Sequence, residues 1–319
     1  MEEKEIIDKT TSLVDYQLTQ NLSGLYANYG CQIIFEDALG KNEVRYKLTI
    51  KYIEQVTEFT HRFRVERANE IYINDQPPDT FIDELAYETS KNIYPIELLV
   101  NHDGSLLDIL NHEHVVSRWP EEKKRIKKYY KGTMVDRYLT LHEKTILNHE
   151  KFLKSLKKDW FINLYFSKIY INYSDEYFVF NKKLYPTAGK AADIEYEVKE
   201  SITGYDDSNT EEYLIKIEGN INDKRCALDI EQHLDYPFYK AMDSNEKDLK
   251  GTCNITYMVT KTTGTLEGFE AFFDTKFEEP KKVTVKMYLL EHLEEEISTH
   301  TEEKSSEGFW GKFFKKITK

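Results

Sequence analysis

The chain has 319 residues, of which 40% are apolar and 13% aromatic, and it carries a formal charge of −13. This is the composition of a packed protein of one large domain or two, and it excludes collagen-like or disordered chains. The acidic balance disfavours general nucleic-acid binding.

The opening stretch, MEEKEIIDKTTSLVDY, is acidic and has no apolar h-region, so no secretory signal is expected there. Three cysteines, Cys31, Cys226 and Cys253, lie far apart with no CxxC spacing, the pattern of reduced thiols rather than a disulfide framework. No apolar run approaches the roughly 18 residues of a membrane span. A cytoplasmic protein is the expectation.

Residues 29–66 alternate with period two and predict strands in YGCQIIFED, NEVRYKLTIKYIEQ and TEFTHRFRVE. Residues 92–110 predict a hairpin that turns at Asp103-Gly104. Pro120 predicts the start of a helix at PEEKKRIKKYY, and Val135, Leu139, Ile146, Leu153 and Leu156 carry helical spacing through 133–157. Between Arg118 and Lys168 there are 14 basic and 6 acidic residues, a local +8 against −21 for the remainder. The interleaved lysines and aromatics read as a solvated helix face that answers acidic sheets, in preference to a nucleic-acid surface.

The second half is again strand-rich, in ADIEYEVKESIT, EEYLIKIEGN, GTCNITYMVTKTTGTLEGFEAFF and KKVTVKMYLLEH. Residues 100–109 match 260–269 at an offset of 160, with Gly104 aligned on Gly264 and Leu106 on Leu266. This is consistent with generic hairpins and also with an internal duplication. The expected fold is α+β: two curved antiparallel β-rich lobes, 1–111 and 167–290, with a basic helical insert at 112–166. An acidic spacer follows at 291–307, then an amphipathic aromatic–basic tail at 308–319.

No catalytic signature stands out. HExxH, GxSxG, GxxxxGK[ST] and GxGxxG are all missing, and no cofactor is expected. His102, His112, His114, His142 and His149 crowd one stretch without metalloprotease spacing. If LDIEQHLDY is a strand, Asp229, Glu231, His233 and Asp235 share one face. Such a face suits a divalent metal or general acid–base work, and equally an ordinary half-exposed strand.

The tail is the best clue to function. In SSEGFWGKFFKKITK, the apolar residues Phe309, Trp310, Phe313, Phe314 and Ile317 form one helical stripe beside Lys312, Lys315 and Lys316. So short a helix is marginal alone and forms when docked. Helix-in-groove docking on a protein partner is favoured over docking on its own body or on a membrane. The neck that precedes it holds seven acids and one lysine, which weakens attraction to an anionic bilayer. The tail resembles, in type only, the C-terminal amphipathic helices that tether bacterial peripheral proteins. The Lys/Asn/Tyr/Ile-rich texture resembles that of uncharacterised proteins from low-GC bacteria. The reading is a non-enzymatic adaptor, part or cargo of a secretion or other multi-protein machine. The alternatives are a peripheral membrane protein or apolar-ligand carrier, and a metal-dependent hydrolase using 229–235.

Overall fold

The computed structural model describes residues 16–173, 177–189, 192–204, 210–243, 246–277 and 279–290. In chain order the elements are β1 (Tyr16–Gln17), β2 (Tyr26–Asp37), β3 (Gly40–Thr57), β4 (Thr60–Ile73), α1 (Phe81–Ser90), β5 (Ile96–Asn101) and β6 (Leu106–Ile109). Four helices follow: α2 (His112–Tyr129), α3 (Thr133–Ile146), α4 (His149–Lys157) and α5 (Trp160–Tyr165). The rest is β7 (Asn172–Tyr173), β8 (Phe178–Tyr185), β9 (Ile194–Thr203), β10 (Glu212–Ile221), α6 (Ala227–Glu231), α7 (Phe238–Met242), β11 (Lys250–Thr260), β12 (Leu266–Lys276) and β13 (Lys281–Leu289). The described residues up to Leu289 form one compact unit.

Strand-forming sequence becomes one large antiparallel sheet of 11 strands, in the order β6-β5-β4-β3-β2-β13-β12-β11-β10-β9-β8. The two strand-rich halves therefore share one sheet, because β2 pairs with β13 from Glu36↔Lys282 to Tyr29↔Leu289. Each half is a meander that includes one of the two similar hairpins. Gly104 and Gly264 take φ of +92° and +66° at the turns, which L side chains resist. A Cβ on either would also strike a neighbouring backbone, at Ser167 O or Thr19 O.

Alternation gives the sheet one buried face. In β9, Ile194, Tyr196, Val198, Glu200 and Ile202 are buried while Glu197 and Lys199 are exposed. The chain leaves the sheet at one edge, β6, and re-enters at the other, β8. Its four intervening helices bring α5 onto the buried face. Asp159 caps α5 by accepting from Ile162 N at 3.0 Å. Trp160, Phe161, Ile162, Leu164 and Tyr165 are all buried. Trp160 meets Phe273 with ring centroids 5.0 Å apart, Tyr165 meets Tyr29 at 5.4 Å, and Tyr257 Oη donates to Leu164 O at 3.1 Å. This stretch of the face is covered by the chain itself.

Pro120 lies inside α2 rather than at its start. The helix begins eight residues earlier at His112; inside it, proline gives up the bond to the carbonyl four residues back and its ring crowds that carbonyl. Trp119 Nε1 and Lys123 Nζ donate to the two oxygens of Glu143, at 3.0 and 2.7 Å, which clamps α2 to α3.

Behind that clamp the ring of His142 lies 4.7 Å from that of Trp119, and its buried Nε2 has no hydrogen-bond partner. Burial pushes its pKa down from 6.5 to about 4. A proton therefore prefers the unfolded chain, so stability is full above about pH 6.5 and is lost as pH falls towards 4. The loss at pH 4 is expected to reach up to about 3 kcal/mol. Urea midpoints measured across this range should show it, and His142→Phe should flatten that part of the profile. An unchanged slope in the variant would assign the acid sensitivity elsewhere.

Candidate functional site

A groove forms where one strand outlasts its neighbour. β5 pairs with β4 only from Thr60↔Asn101 to Val65↔Ile96, so from Glu66 to Ile73 β4 has strand β3 on one side only. The register shifts between Leu48↔Arg67 and Tyr46↔Ile71, a bulge that bends β4 away from the regular ladder. Asn74 and Asp75 take left-handed φ of 51° and 67°. The turn at these two residues ends the strand, and Pro77 and Pro78, which have no N–H to donate, follow it.

Thr80 opens α1 by accepting from Asp83 N at 3.2 Å. The helix returns along the open edge, where Tyr87 Oη donates to Asn69 O at 2.6 Å and the Arg67 guanidinium donates to Ser90 Oγ. The cis Tyr94–Pro95 bond lies at one end of the groove and Tyr130, just past α2, lies at the other.

Two hollows meet at Asn69 and Tyr87. The first, about 210 Å3, is lined by Glu66, Arg67, Ala68, Lys91, Tyr94 and Pro95 as well. It is rich in cations held over rings: Arg67 lies 4.9 Å from the centroid of Tyr94, and Lys91 lies 4.1 Å from that of Tyr87. The second, about 330 Å3, adds Glu70, Ile71, Tyr72, Pro77, Pro78, Glu84, Glu88 and Tyr130. It is aromatic and acidic. Burial raises the Glu88 carboxyl, but hydrogen bonds from Lys91 and Arg125 outweigh that and hold it below its usual range. Burial and the neighbouring Glu84, to which Tyr130 donates at 3.1 Å, raise the Tyr130 phenol. Within electrostatic reach of Arg67, burial raises Asp159 against the opposing pull of Ile162 N–H and the Arg67 charge.

A strand edge on one side, rings flanking it and opposite charges at the two ends suit an extended polypeptide.

The 229–235 segment is not a strand. Ala227–Glu231 is helix α6, capped by the Cys226 thiol, and residues two apart on a helix point to nearly opposite sides. Asp229 turns inward and accepts from Cys226 N at 3.0 Å and Tyr239 N at 2.7 Å. Burial raises its carboxyl, yet these bonds keep it below the ordinary range. Glu231, His233 and Asp235 stay exposed. The structure does not bring the four onto one face, and among the described residues no cluster of three or more His, Cys, Asp or Glu side chains is placed to hold a metal.

Two of the crowded histidines hold the helices instead. His149 Nε2 lies 2.5 Å from Asp108 Oδ1, His112 Nε2 lies 2.6 Å from Ile146 O, and their rings meet edge-on at 4.8 Å. The tail residues Phe309, Trp310, Lys312, Phe313, Phe314, Lys315, Lys316 and Ile317 lie outside the described residues. Sequence reasoning passed over the groove; its one local signal was the turn-rich stretch NDQPPDT after a long strand.

No family model matches the chain, and no curated protein matches its sequence. Among solved structures, a lipovitellin described in terms of lipid–protein interactions is similar at 11% identity and a TM-score of 0.40, over 83% of this chain. The match spans 25% of the lipovitellin chain, so this protein corresponds to about a quarter of that length. A Vibrio parahaemolyticus domain described as an outer membrane lipoprotein-sorting protein is similar at 9% identity and a TM-score of 0.18, over 84% of this chain and 88% of that one.

Proposed function

We propose that the protein is a non-enzymatic binding protein of the cytoplasm, an adaptor that receives an extended segment of a partner along the open edge of β4. The observation that carries this reading is the eight-residue run of β4 beyond β5, flanked by Tyr87, Tyr94 and Tyr130. A cytoplasmic setting fits the three cysteines, all buried as free thiols. The aromatic–basic tail, with Trp310 and Phe314 as anchors, supplies a second docking element. Buried aromatic anchors dominate interface energetics and each is worth about 2 kcal/mol or more.

The test compares partner retention and melting temperature in wild type, Tyr87→Ala and the double variant Trp310→Ala, Phe314→Ala. Tyr87→Ala removes the ring common to both hollows and is expected to weaken retention at least about tenfold. The tail variant is expected to melt with the wild type and to lose its partner. A tail variant that melts several degrees lower while keeping the partner would show a self-docked helix. Tyr87→Ala binding as tightly as wild type would remove the groove from the proposal.

A further inference from the structure

Helix α3 carries a surface that neither the groove nor the tail explains. Val135, Leu139 and Ile146 are buried, and at 100° per residue Arg137, Leu141 and Lys144 lie on the opposite side, with Met134 at its flank. An ordinary solvated helix face is polar there. Here Met134 is 61% exposed, Leu141 57%, and Leu147 at the C-cap 53%.

The cations around this strip differ from their neighbours. Lys123, Arg125 and Lys127 are each engaged by carboxylates, Lys127 by Asp136 at 2.7 Å. Among the described residues Lys124, Lys128, Lys131, Arg137, Lys144 and Lys151 have no carboxylate ion-pair partner, and all six are exposed. The Lys127–Asp136 pair ties the end of α2 to the start of α3. Lys128, Lys131 and Met134 therefore come from adjoining turns of chain.

Single-stranded nucleic acid calls for a series of aromatic platforms; the strip on α3 is aliphatic, and Tyr129, exposed beside Lys128, is a single ring. An anionic bilayer calls for both features at once: aliphatic side chains that enter the headgroup layer and lysines that meet the phosphates. The rest of the chain, at −21 against +8 for residues 118–168, is repelled by such a surface. An anionic surface therefore attracts this segment in preference to the rest of the chain.

We infer that the α3-centred face is a docking surface for an anionic lipid bilayer, independent of the β4 groove. Flotation of the full chain with phosphatidylcholine vesicles, with and without phosphatidylglycerol, tests this. Binding is expected only where phosphatidylglycerol is present, and it should fall as salt is raised. Met134→Ser with Leu141→Ser is expected to cut partitioning about tenfold. Arg137→Gln with Lys144→Gln should weaken it mainly at low salt. Both pairs are exposed, so melting should match wild type, and Trp310→Ala with Phe314→Ala should keep vesicle binding. Equal binding to neutral vesicles, or none to either kind, overturns the inference. So does loss of binding in the tail variant alone, which would move membrane contact to the tail. Capture of an acidic protein or a nucleic acid by this face, with vesicles ignored, would also overturn it.

Discussion

Phe161→Ala is expected to lower the unfolding free energy by about 3–5 kcal/mol, the range for deleting a large ring from a core that cannot collapse around the space. Phe161 is fully buried and stacks on Tyr165 with centroids 5.3 Å apart. Helix α5 has six residues, too few to persist without its packing, so the ring holds the helix in place as well as filling volume. A fall in the urea midpoint with an unchanged m-value would show this. Phe161→Leu should cost less than half as much. A loss below about 1 kcal/mol for the alanine variant would mean that α5 is peripheral to the fold.

Lys183→Met is the second large effect, expected at about 3–5 kcal/mol. Lys183 Nζ lies 3.1 Å from Glu200 Oε2, with side chains 10% and 1% exposed, and it donates to Lys168 O at 2.9 Å. Burial pulls Lys183 below its ordinary value, with Glu200 pulling the other way. Removing the cation leaves a buried carboxylate whose remaining described partner is Asn181 Nδ2, at 2.7 Å. Lys183→Met combined with Glu200→Leu should recover most of the loss, because two apolar side chains leave no buried charge to compensate. Additive losses in the pair would show that the two charges are not coupled.

What the sequence revealed was local. The hairpins at Gly104 and Gly264 rest on turn chemistry within a few residues, and the helices at 133–157 on apolar spacing along one segment. Helix α6 escaped because its cap is a cysteine, outside the usual Ser, Thr, Asp and Asn, and because Leu228 and Ile230 happen to alternate. The start of α2 was hidden by Pro120, which looks like a beginning and lies in the interior. One sheet in place of two depends on β2 meeting β13, strands at opposite ends of the described chain. No window of sequence contains both. The groove was invisible for a related reason: it exists because β5 stops pairing at Val65 while β4 continues, a mismatch between strands rather than a motif in either.

The same central pairing sets the order in which the molecule can be made. During synthesis the meander from β2 to β6 leaves the ribosome first, with the β2 edge that awaits β13 still open. Tyr29, Cys31 and Ile33 sit on that strand and are buried only in the finished protein. Translation must run through every intervening helix and strand before the last one arrives to close the edge. A fold whose middle is completed last has a high contact order and folds slowly. For that interval the nascent chain presents a sticky, unpaired border at β2.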